Sequence, residues 1–392
     1  MQYMDWFLYR YGLAGILLAA AFLTLFALQV WRHVWMCRRI CRSGKALHGN
    51  PEAPAAPAPA VSVIVPLFIS DTAFLEEGLM RLLAQEYEDY EVVVVYVGLD
   101  DDFYDELMRM RMSFPNLRTT KIEARPRYPI SPKMALNIGI KSARNPYIIT
   151  TTADASPMSG RWLSLMARGF VQGDNVIGYC GIERCGGFVN RMLRTQRMMS
   201  SAEWLASAAS RKPYRGNRCN MGFSKKLYFD VNGFGYLNMN AGEDDLFMQR
   251  IMTPDNTSVV ISPDASVAEK LHGGLYSWLR RQRLEAATQR LYPCEARGSM
   301  RVEPWSRMLF FLSAAIIFIV MPWDYSLAAL ALVAVRCAVV TFAAARIAAR
   351  TGERGITATY LLYDLLSPVA DLAVRMATLR KNPSIWRYTS IS

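Results

Sequence analysis

The sequence predicts an α/β domain with a mostly parallel sheet, joined to one N-terminal and about two C-terminal transmembrane helices. Long apolar runs stand near both ends of the chain, and between them short apolar strands alternate with helical stretches. Hydrophobic residues make up 52% and charged residues 20% of the 392 residues, which is a high apolar share for a soluble protein. We therefore expect a membrane-anchored globular domain.

The N-terminal apolar run, residues 12–30, carries no charge and is long enough to cross a bilayer. Trp31 and Trp35 stand at its end and basic residues follow it, whereas a cleaved signal peptide has its positive charge before the apolar run. We expect a retained membrane anchor over residues 1–34. Residues 35–60 then form a basic flank and a Pro/Ala-rich linker, whose composition favours extended backbone.

Residues 61–300 carry the predicted globular domain. Continuous apolar runs at 61–66 and 91–97 are typical of buried strands, and a helical stretch at 74–85 between them completes a βαβ unit. The pattern continues with strands at 117–123, 147–152 and 175–181 and a helix at 133–142. A sheet wound in this way binds ligands beyond the carboxyl ends of its strands.

Two apolar runs near the C-terminus, 308–321 and 325–345, are separated by a Pro-Trp-Asp turn and flanked by arginines on both sides. Because positive residues favour the cytoplasmic side, we expect a transmembrane hairpin over residues 301–350 with its turn on the far side. In residues 351–392, charged residues and a proline interrupt the apolar pattern. We expect an interfacial or re-entrant segment there, followed by a cytoplasmic tail.

Two groups of basic residues have more than one interpretation. Arg336, inside the second C-terminal run, is a functional intramembrane charge, or it snorkels or is buried against a neighbouring helix. Arg191, Arg194 and Arg197, interleaved with methionines, predict either a helix on the membrane surface or an ordinary amphipathic core helix. Basic residues beside the spans explain the net charge of +12, so we expect a membrane partner and no nucleic acid.

Acidic residues stand at two places where such a domain would bind a ligand. Asp154 follows the predicted strand at 147–152, and Glu243, Asp244 and Asp245 lead into an apolar run. Divalent cations take carboxylate oxygens as ligands, and a carboxylate also serves as a general base. Each place also has an ordinary interpretation, a capping aspartate in a turn or an acidic helix N-terminus. The seven cysteines show no paired spacing of metal ligands, so we expect reduced thiols.

The segment from 61 to about 291 resembles the inverting glycosyltransferases of family 2, which have the GT-A fold. The resemblance rests on motifs that occur in the family's order. These are the opening strand at 61–66, a K-x-A-L-N-x-G helix at 133–139, a metal motif ending at Asp154, a loop at 220–223 before a G-G-F-like 232–234, and an E-D pair at 243–244. With its apolar ends, the chain is similar to the membrane-bound subgroup that includes ceramide glucosyltransferases and polysaccharide synthases.

The resemblance implies a site for a nucleoside diphosphate sugar, with a UDP-sugar favoured, and for Mg²⁺ or Mn²⁺. It implies that Asp154 ligates the metal and that Asp244 is the general base, with Asp245 as the alternative and Glu243 beside them in the motif. The implied acceptor-side residues are Asn220 and Gly222, and the implied donor-binding residues are Pro66, Asp71, Asp100, Asp101, Lys133, Asn137, Arg280 and Arg283.

Several of these assignments have an alternative. Asp100 and Asp101 either contact the nucleotide or begin the helix that follows them. Arg280 and Arg283, together with His272, bind the diphosphate, or the arginines contact anionic lipid headgroups.

Departures from the family pattern bear on function. Thr152 replaces the first aspartate of the metal motif, residues 67–71 replace an N-E pair after the first strand, and Leu284 replaces the tryptophan of a Q-x-x-R-W helix. The lost tryptophan favours single transfer. We predict a membrane-bound inverting glycosyltransferase, in a cytoplasmic or inner membrane, that acts on a lipid or lipid-linked acceptor at the cytoplasmic face. The alternatives are a processive polysaccharide synthase and a catalytically inactive membrane assembly module.

Overall fold

The chain folds into an α/β domain between an N-terminal helix and three long C-terminal helices. The predicted α/β class, with a mostly parallel central sheet and apolar helices at both ends, is confirmed. The computed structural model describes residues 2–46, 59–123, 130–235, 237, 242–271 and 274–379.

Two sheets form the framework of the domain. The strands are β1 (Val61–Leu67), β2 (Tyr90–Val97), β3 (Leu117–Ile122), β4 (Tyr147–Thr150), β5 (Ala155–Pro157), β6 (Asn175–Gly178), β7 (Cys180–Ile182), β8 (Met221–Ser224), β9 (Thr257–Val260) and β10 (Val267–Glu269). The main sheet has the order β3-β2-β1-β4-β8-β6-β9, and only β8 runs antiparallel to its neighbours. The smaller sheet has the order β5-β10-β7. The single strand predicted at 175–181 is therefore two strands, and they belong to different sheets.

Helices cover both faces of the main sheet, which is why the valine-rich strands β1 and β2 are buried almost throughout. The helices are α1 (Gln2–Ala46), α2 (Met80–Leu83, directly after a π-helix at Phe74–Leu79), α3 (Asp101–Ser113), α4 (Pro132–Ser142), α5 (Trp162–Gly169), α6 (Phe188–Ala208), α7 (Lys225–Asp230), α8 (Leu246–Ile251), α9 (Gly274–Thr288), α10 (Cys294–Val320), α11 (Trp323–Thr351) and α12 (Thr357–Leu379). Local chemistry sets their ends: Ser131 caps α4 by accepting a hydrogen bond from the Met134 backbone N–H, and Pro132 occupies the first turn.

In the described part of the chain, three helices are long and apolar enough to cross a membrane. They are Gly12–Ser43 within α1, and the whole of α10 and α11. The α1 helix continues to Ala46, so the basic residues directly after the predicted anchor are helical, and the Pro/Ala-rich stretch predicted to be extended lies almost wholly outside the described residues. Likewise, α10 begins at Cys294, before the predicted boundary at residue 301.

The segment predicted as interfacial or re-entrant contains one continuous helix, α12. This helix packs on α6 and α9 of the domain and on α10 and α11. Apolar side chains such as Leu365 and Val369 are exposed on it, although α12 is not one of the candidate spans. Its interfacial location stays a prediction.

Arg336 and two of the three arginines on α6 are buried, whereas Arg191 is exposed. Arg336 is fully buried on α11, where it pairs with Asp364 of α12 and donates a hydrogen bond to the Gln29 side chain of α1 at 2.6 Å. On α6, Arg194 and Arg197 are buried along with the neighbouring methionines. These contacts favour burial against neighbouring helices for Arg336 and a core helix for α6.

We expect Asp364→Asn to destabilise the fold because it keeps the size of the side chain but leaves Arg336 buried without a counter-charge. Removal of one partner of a buried ion pair typically costs about 3–5 kcal/mol. Thermal unfolding in detergent should show a clear loss relative to wild type. The matched variant Asp324→Asn alters an exposed acid in the α10–α11 turn and should leave the unfolding temperature unchanged. Equal unfolding temperatures for all three proteins would contradict a stabilising role of the pair.

Candidate active site

Three acidic loops meet at one edge of the main sheet. Strand β1 lies between β2 and β4 and runs parallel to both, so the carboxyl ends of these three strands are adjacent. Asp71 follows β1, Asp100 follows β2, and Asp154 follows β4. Pro66 lies within β1, opposite Val95 of β2. The structure thus places these carboxylates at the edge of the sheet where the strand pattern predicts ligand binding.

The acids after β1 and β2 also have local partners. The Asp100 carboxylate accepts a hydrogen bond from the Phe103 backbone N–H at 3.0 Å, and this bond, followed by one from the Ser70 hydroxyl, lowers the pKa of Asp100. Asp101 forms an ion pair with Lys121. The helix-start interpretation therefore accounts for both aspartates, although Asp100 remains exposed at the crevice edge. The Asp71 carboxylate accepts a hydrogen bond from the backbone two residues ahead, as in an Asx turn.

Asp154 is exposed in the turn between β4 and β5. The Lys270 backbone N–H donates to the Asp154 carbonyl at 2.7 Å, which holds the turn against the residue after β10. Thr152, which replaces the first aspartate of the motif, lies with its hydroxyl 3.5 Å from the Cys219 thiol. One carboxylate at a crevice fits Mg²⁺ or Mn²⁺, because these ions often combine one or two carboxylates with phosphate oxygens of the substrate.

A second group of side chains that could ligate a metal lies inside the domain. The thiols of Cys180 and Cys219 and the carboxylate of Glu269 approach within 4.8 Å of one another, and all three residues are buried. The Glu269 carboxylate accepts two hydrogen bonds from Arg281, one of them at 2.6 Å. Soft thiols are poor ligands for Mg²⁺ or Mn²⁺, and an arginine already occupies the carboxylate, so this group does not fit the implied metal.

Only one of the three acids at 243–245 is available to a ligand. Glu243 and Asp245 are 4% and 3% exposed, whereas Asp244 is half-buried. Asp245 caps α8: its carboxylate accepts hydrogen bonds from the Leu246 backbone N–H and the Tyr292 hydroxyl, both at 2.7 Å. The alternative interpretation, an acidic residue at a helix N-terminus, therefore holds for Asp245. Asp244 is more exposed than the two buried acids on either side of it.

The surroundings of Glu243 and Asp244 favour the protonated forms of these two acids. Burial raises the pKa of Asp244 above its ordinary value, the charge of Asp245 adds to the rise, and Arg215 opposes it. Burial and the charge of Asp244 raise the pKa of Glu243 to about 7. A carboxylate with a raised pKa is a stronger base, which suits a group that removes a proton from a hydroxyl.

The loop at 215–219, which none of the family motifs includes, connects the end of β4 with the acidic turn at 243–245. The Thr150 hydroxyl at the end of β4 donates to the Arg218 carbonyl at 2.9 Å, and the Arg218 guanidinium lies 3.8 Å from the Glu243 carboxylate. The Gly216 N–H donates to the Asp244 carbonyl at 3.2 Å. The signal in the sequence was the run Arg215-Gly216-Asn217-Arg218, two cations around a glycine before β8.

Two residues of α4, Lys133 and Asn137, are predicted to bind the donor. Both form hydrogen bonds with residues of the segment 228–237. Lys133 donates a hydrogen bond to the Leu237 carbonyl, and burial lowers its pKa. The Asn137 carbonyl oxygen accepts a hydrogen bond from the Tyr228 hydroxyl at 2.7 Å. These contacts fix α4 against the domain, so a role for either residue in donor binding stays a prediction.

On α9, Arg281 donates two hydrogen bonds to the Glu269 carboxylate. Arg281 lies in the sequence between Arg280 and Arg283, the two arginines predicted to bind the donor. Burial alone would raise the pKa of its partner Glu269, but Arg281 and Arg197 lower that pKa to about 2. Arg280 and Arg283 are half-buried on the same helix. His272 lies outside the described residues.

The two residues predicted on the acceptor side lie in the interior of the domain. Asn220 is fully buried; its amide donates to the Tyr179 and Ala265 carbonyls at 2.8 and 2.9 Å and accepts from the Trp162 indole at 3.0 Å. Gly222 sits in β8 between β4 and β6, where an added Cβ would stand 2.7 Å from a backbone carbonyl. The Asn220 amide is thus fully hydrogen-bonded inside the domain and Gly222 is closely packed, so an acceptor role for either residue stays a prediction.

Comparison with known proteins identifies the domain. Residues 62–234 match the model of the family described as Glycosyl transferase family 2. No curated protein matches the chain. Among solved structures, the mannosyltransferase PcManGT from Pyrobaculum calidifontis, in complex with GDP-Man and Mn²⁺, is 20% identical with a TM-score of 0.55, and the match covers 91% of this chain and 99% of that one.

A second solved structure, TarS 1-349 of S. aureus, is 15% identical with a TM-score of 0.41, and the match covers 82% of this chain and 91% of that one. At its identity, the likeness to the mannosyltransferase supports the fold alone. The family match confirms the predicted enzyme class, a glycosyltransferase. Residues 62–234 thus match the Glycosyl transferase family 2 model within a domain of the GT-A fold, and the helices on either side of that domain are apolar enough to cross a membrane.

Proposed function

We propose that this protein is an inverting glycosyltransferase that transfers one sugar from a nucleoside diphosphate sugar to a lipid or lipid-linked acceptor at the cytoplasmic face of the membrane. The observation that carries the proposal is the position of Asp244. It is a half-buried acid with a raised pKa, and hydrogen bonds of the loop at 215–219 join it to the end of β4, the strand that Asp154 follows. The proposed reaction needs a base and a metal ligand close together.

In the proposed reaction, Asp244 accepts the proton of the acceptor hydroxyl. The oxygen then forms a bond to the anomeric carbon of the donor while the bond to the diphosphate breaks, so the configuration at that carbon inverts. Asp154 would hold Mg²⁺ or Mn²⁺, which when bound neutralises charge on the departing diphosphate. Asp244 keeps its proton-accepting position because its carbonyl is held by Gly216 and its neighbour Asp245 caps α8.

The lipid character of the acceptor rests on the membrane helices. The candidate spans α1 and α10 and the helix α12 all pack against the domain or against helices that do. An acceptor held in the bilayer would therefore reach the domain without crossing water. This arrangement supports the membrane-bound subgroup, and the missing tryptophan at Leu284 favours single transfer over polymer synthesis.

An inactive assembly module is the second candidate, and Thr152 is the observation that favours it, because the metal motif has lost one carboxylate. A panel of nucleoside diphosphate sugars, including UDP-sugars and GDP-mannose, tests this directly. Release of nucleoside diphosphate from any member by the purified protein supports an enzyme. Absence of release and of metal-dependent donor binding across the panel would support the inactive module.

We expect Asp244→Asn to reduce transfer by about 10²–10⁴-fold, the usual contribution of a general base, while donor binding stays near wild type. Because the base must be ionised and its pKa is raised, wild-type activity should fall as the pH decreases through that raised value. Released nucleoside diphosphate and calorimetric donor titration measure the two effects. The control Asp255→Asn removes an exposed acid paired with Arg211 and should behave as wild type. Wild-type activity in Asp244→Asn would remove it as the base.

Asp154→Ala should abolish the dependence of donor binding on Mn²⁺, since Thr152 offers no charged replacement. Calorimetric titration of the donor with and without Mn²⁺ measures this dependence. Asp89→Ala is the matched control, because this exposed acid lies just before β2, at the opposite edge of the sheet. Equal donor affinity with and without Mn²⁺ in the wild type would contradict the metal assignment.

The proposed orientation puts the domain in the cytoplasm and the α10–α11 turn outside. Single cysteines at Arg109, exposed on α3, and at Asp324, in a background without the seven native cysteines, should then differ in reaction with an impermeant thiol reagent on intact cells. Asp324→Cys should react and Arg109→Cys should react only after lysis. The reverse pattern would place the domain away from cytoplasmic nucleotide sugars.

A further inference from the structure

A cavity of about 140 Å³ lies where the domain meets the membrane helices. At roughly 10–15 Å³ for each water, it has room for about ten waters, which is the space of a single sugar unit. One side of its wall comes from α6, α9 and the loop before β8, and the other side from α1, α10 and α12. A ligand here is therefore held by the domain and by the membrane-associated helices at once.

The cavity wall is linked to the proposed base through the loop before β8. Arg215 lines the cavity, and the next residue along the chain, Gly216, donates its backbone N–H to the Asp244 carbonyl. Arg215 also forms an ion pair at 3.2 Å with Glu285, a further lining residue.

The arginines that line the cavity are paired with carboxylates, which argues against a strongly anionic ligand. Besides Arg215, Arg32 pairs with Glu203, and Arg307 pairs with Glu303 at 2.8 Å. A phosphate monoester entering such a place would have to displace carboxylates from their partners or stand beside them. An uncharged ligand avoids both costs.

The remaining lining groups suit a sugar. Gln196 contributes an amide to the wall of the cavity. Gln282 adds an amide that both donates and accepts, which matches hydroxyl groups. Trp204 and Tyr214 add aromatic side chains with an apolar ring and a polar tip.

We propose that this cavity binds the uncharged saccharide headgroup of a lipid-anchored acceptor, with its chains beside α1, α10 and α12. The inference rests on the proposed function and narrows its acceptor from lipids in general to glycolipids or lipid-linked sugars. A lipid phosphate as the direct acceptor is the competing chemistry. The site differs from the acceptor side that the motifs at Asn220 and Gly222 implied.

The test fills the cavity from Ser200, a half-buried lining residue on α6. Wild type, Ser200→Phe and the matched control Ser200→Ala are placed in phosphatidylcholine nanodiscs with the donor that releases nucleotide. Octyl glycosides and octyl phosphate serve as acceptor probes. Three quantities are measured: transfer to each probe, donor hydrolysis without acceptor, and the shift in unfolding temperature that each probe causes.

We expect wild type and Ser200→Ala to use at least one octyl glycoside within about twofold of each other, and Ser200→Phe to lose more than roughly tenfold in kcat/KM. Donor binding and hydrolysis should persist in all three proteins. Octyl glycosides should raise the unfolding temperature of wild type but not of Ser200→Phe. If Ser200→Phe fails to fold, Gln282→Leu replaces it, with the same expected loss.

Two outcomes would overturn the inference: transfer to octyl glycosides at wild-type rates in the filled variant, or a response to octyl phosphate in place of every glycoside. Failure of the proposed function looks different. The wild type would then release no nucleotide from any donor, whatever the glycosides do to its unfolding temperature. A temperature shift that Ser200→Phe abolishes would still support the saccharide site in that case.

Discussion

Buried arginines need carboxylate partners, and ion pairs of this kind hold the domain against the long apolar helices. Arg194 of α6 donates two hydrogen bonds to Glu353, which follows α11, and the Tyr179 hydroxyl donates to the same carboxylate at 2.8 Å. Arg32 of α1 pairs with Glu203 at the other end of α6. Breaking either pair would leave a charge in a poorly solvated place, so α6 is fixed between two membrane helices. The crevice therefore has a set position relative to the spans.

The pairing of buried arginines with carboxylates also explains why the pKa values of two buried glutamates differ. Glu269 and Glu243 are both buried, but two arginines lower the pKa of Glu269 to about 2, whereas the one arginine near Glu243 stands 3.8 Å away and its pKa rises to about 7. One oxygen of Glu243 is buried without a hydrogen-bond partner among the described residues. A fully paired buried carboxylate such as Glu269 stabilises the fold as an anion, whereas burial without a close cation raises the pKa of Glu243. The pKa of Asp244 is raised by burial and by the charge of Asp245.

What the sequence could predict depended on whether the relevant contacts are local. Strands β1 and β2 and helix α4 follow from apolar runs and a capping serine within a few residues. The base candidate follows from a motif, because Asp244 lies in a short contiguous turn. The partner of Arg336, by contrast, lies 28 residues away on another helix, and no periodicity reports it. The same is true of Arg218, whose importance comes from bridging β4 and the acidic turn.

The inward positions of Asn220 and Gly222 have a consequence for the acceptor. Strand β8 is antiparallel to both neighbours in the middle of the sheet, so its residues are used to hold β4 and β6 together. The proposed acceptor site would then draw on other elements near Asp244. The loop at 214–219 and helix α9 line the cavity beside the apolar helices, and Gly216 of that loop donates a hydrogen bond to the Asp244 carbonyl. The proposed path from a lipid acceptor to the base therefore runs through this junction, because the Asn220 amide is already bonded inside the domain and Gly222 has no side chain.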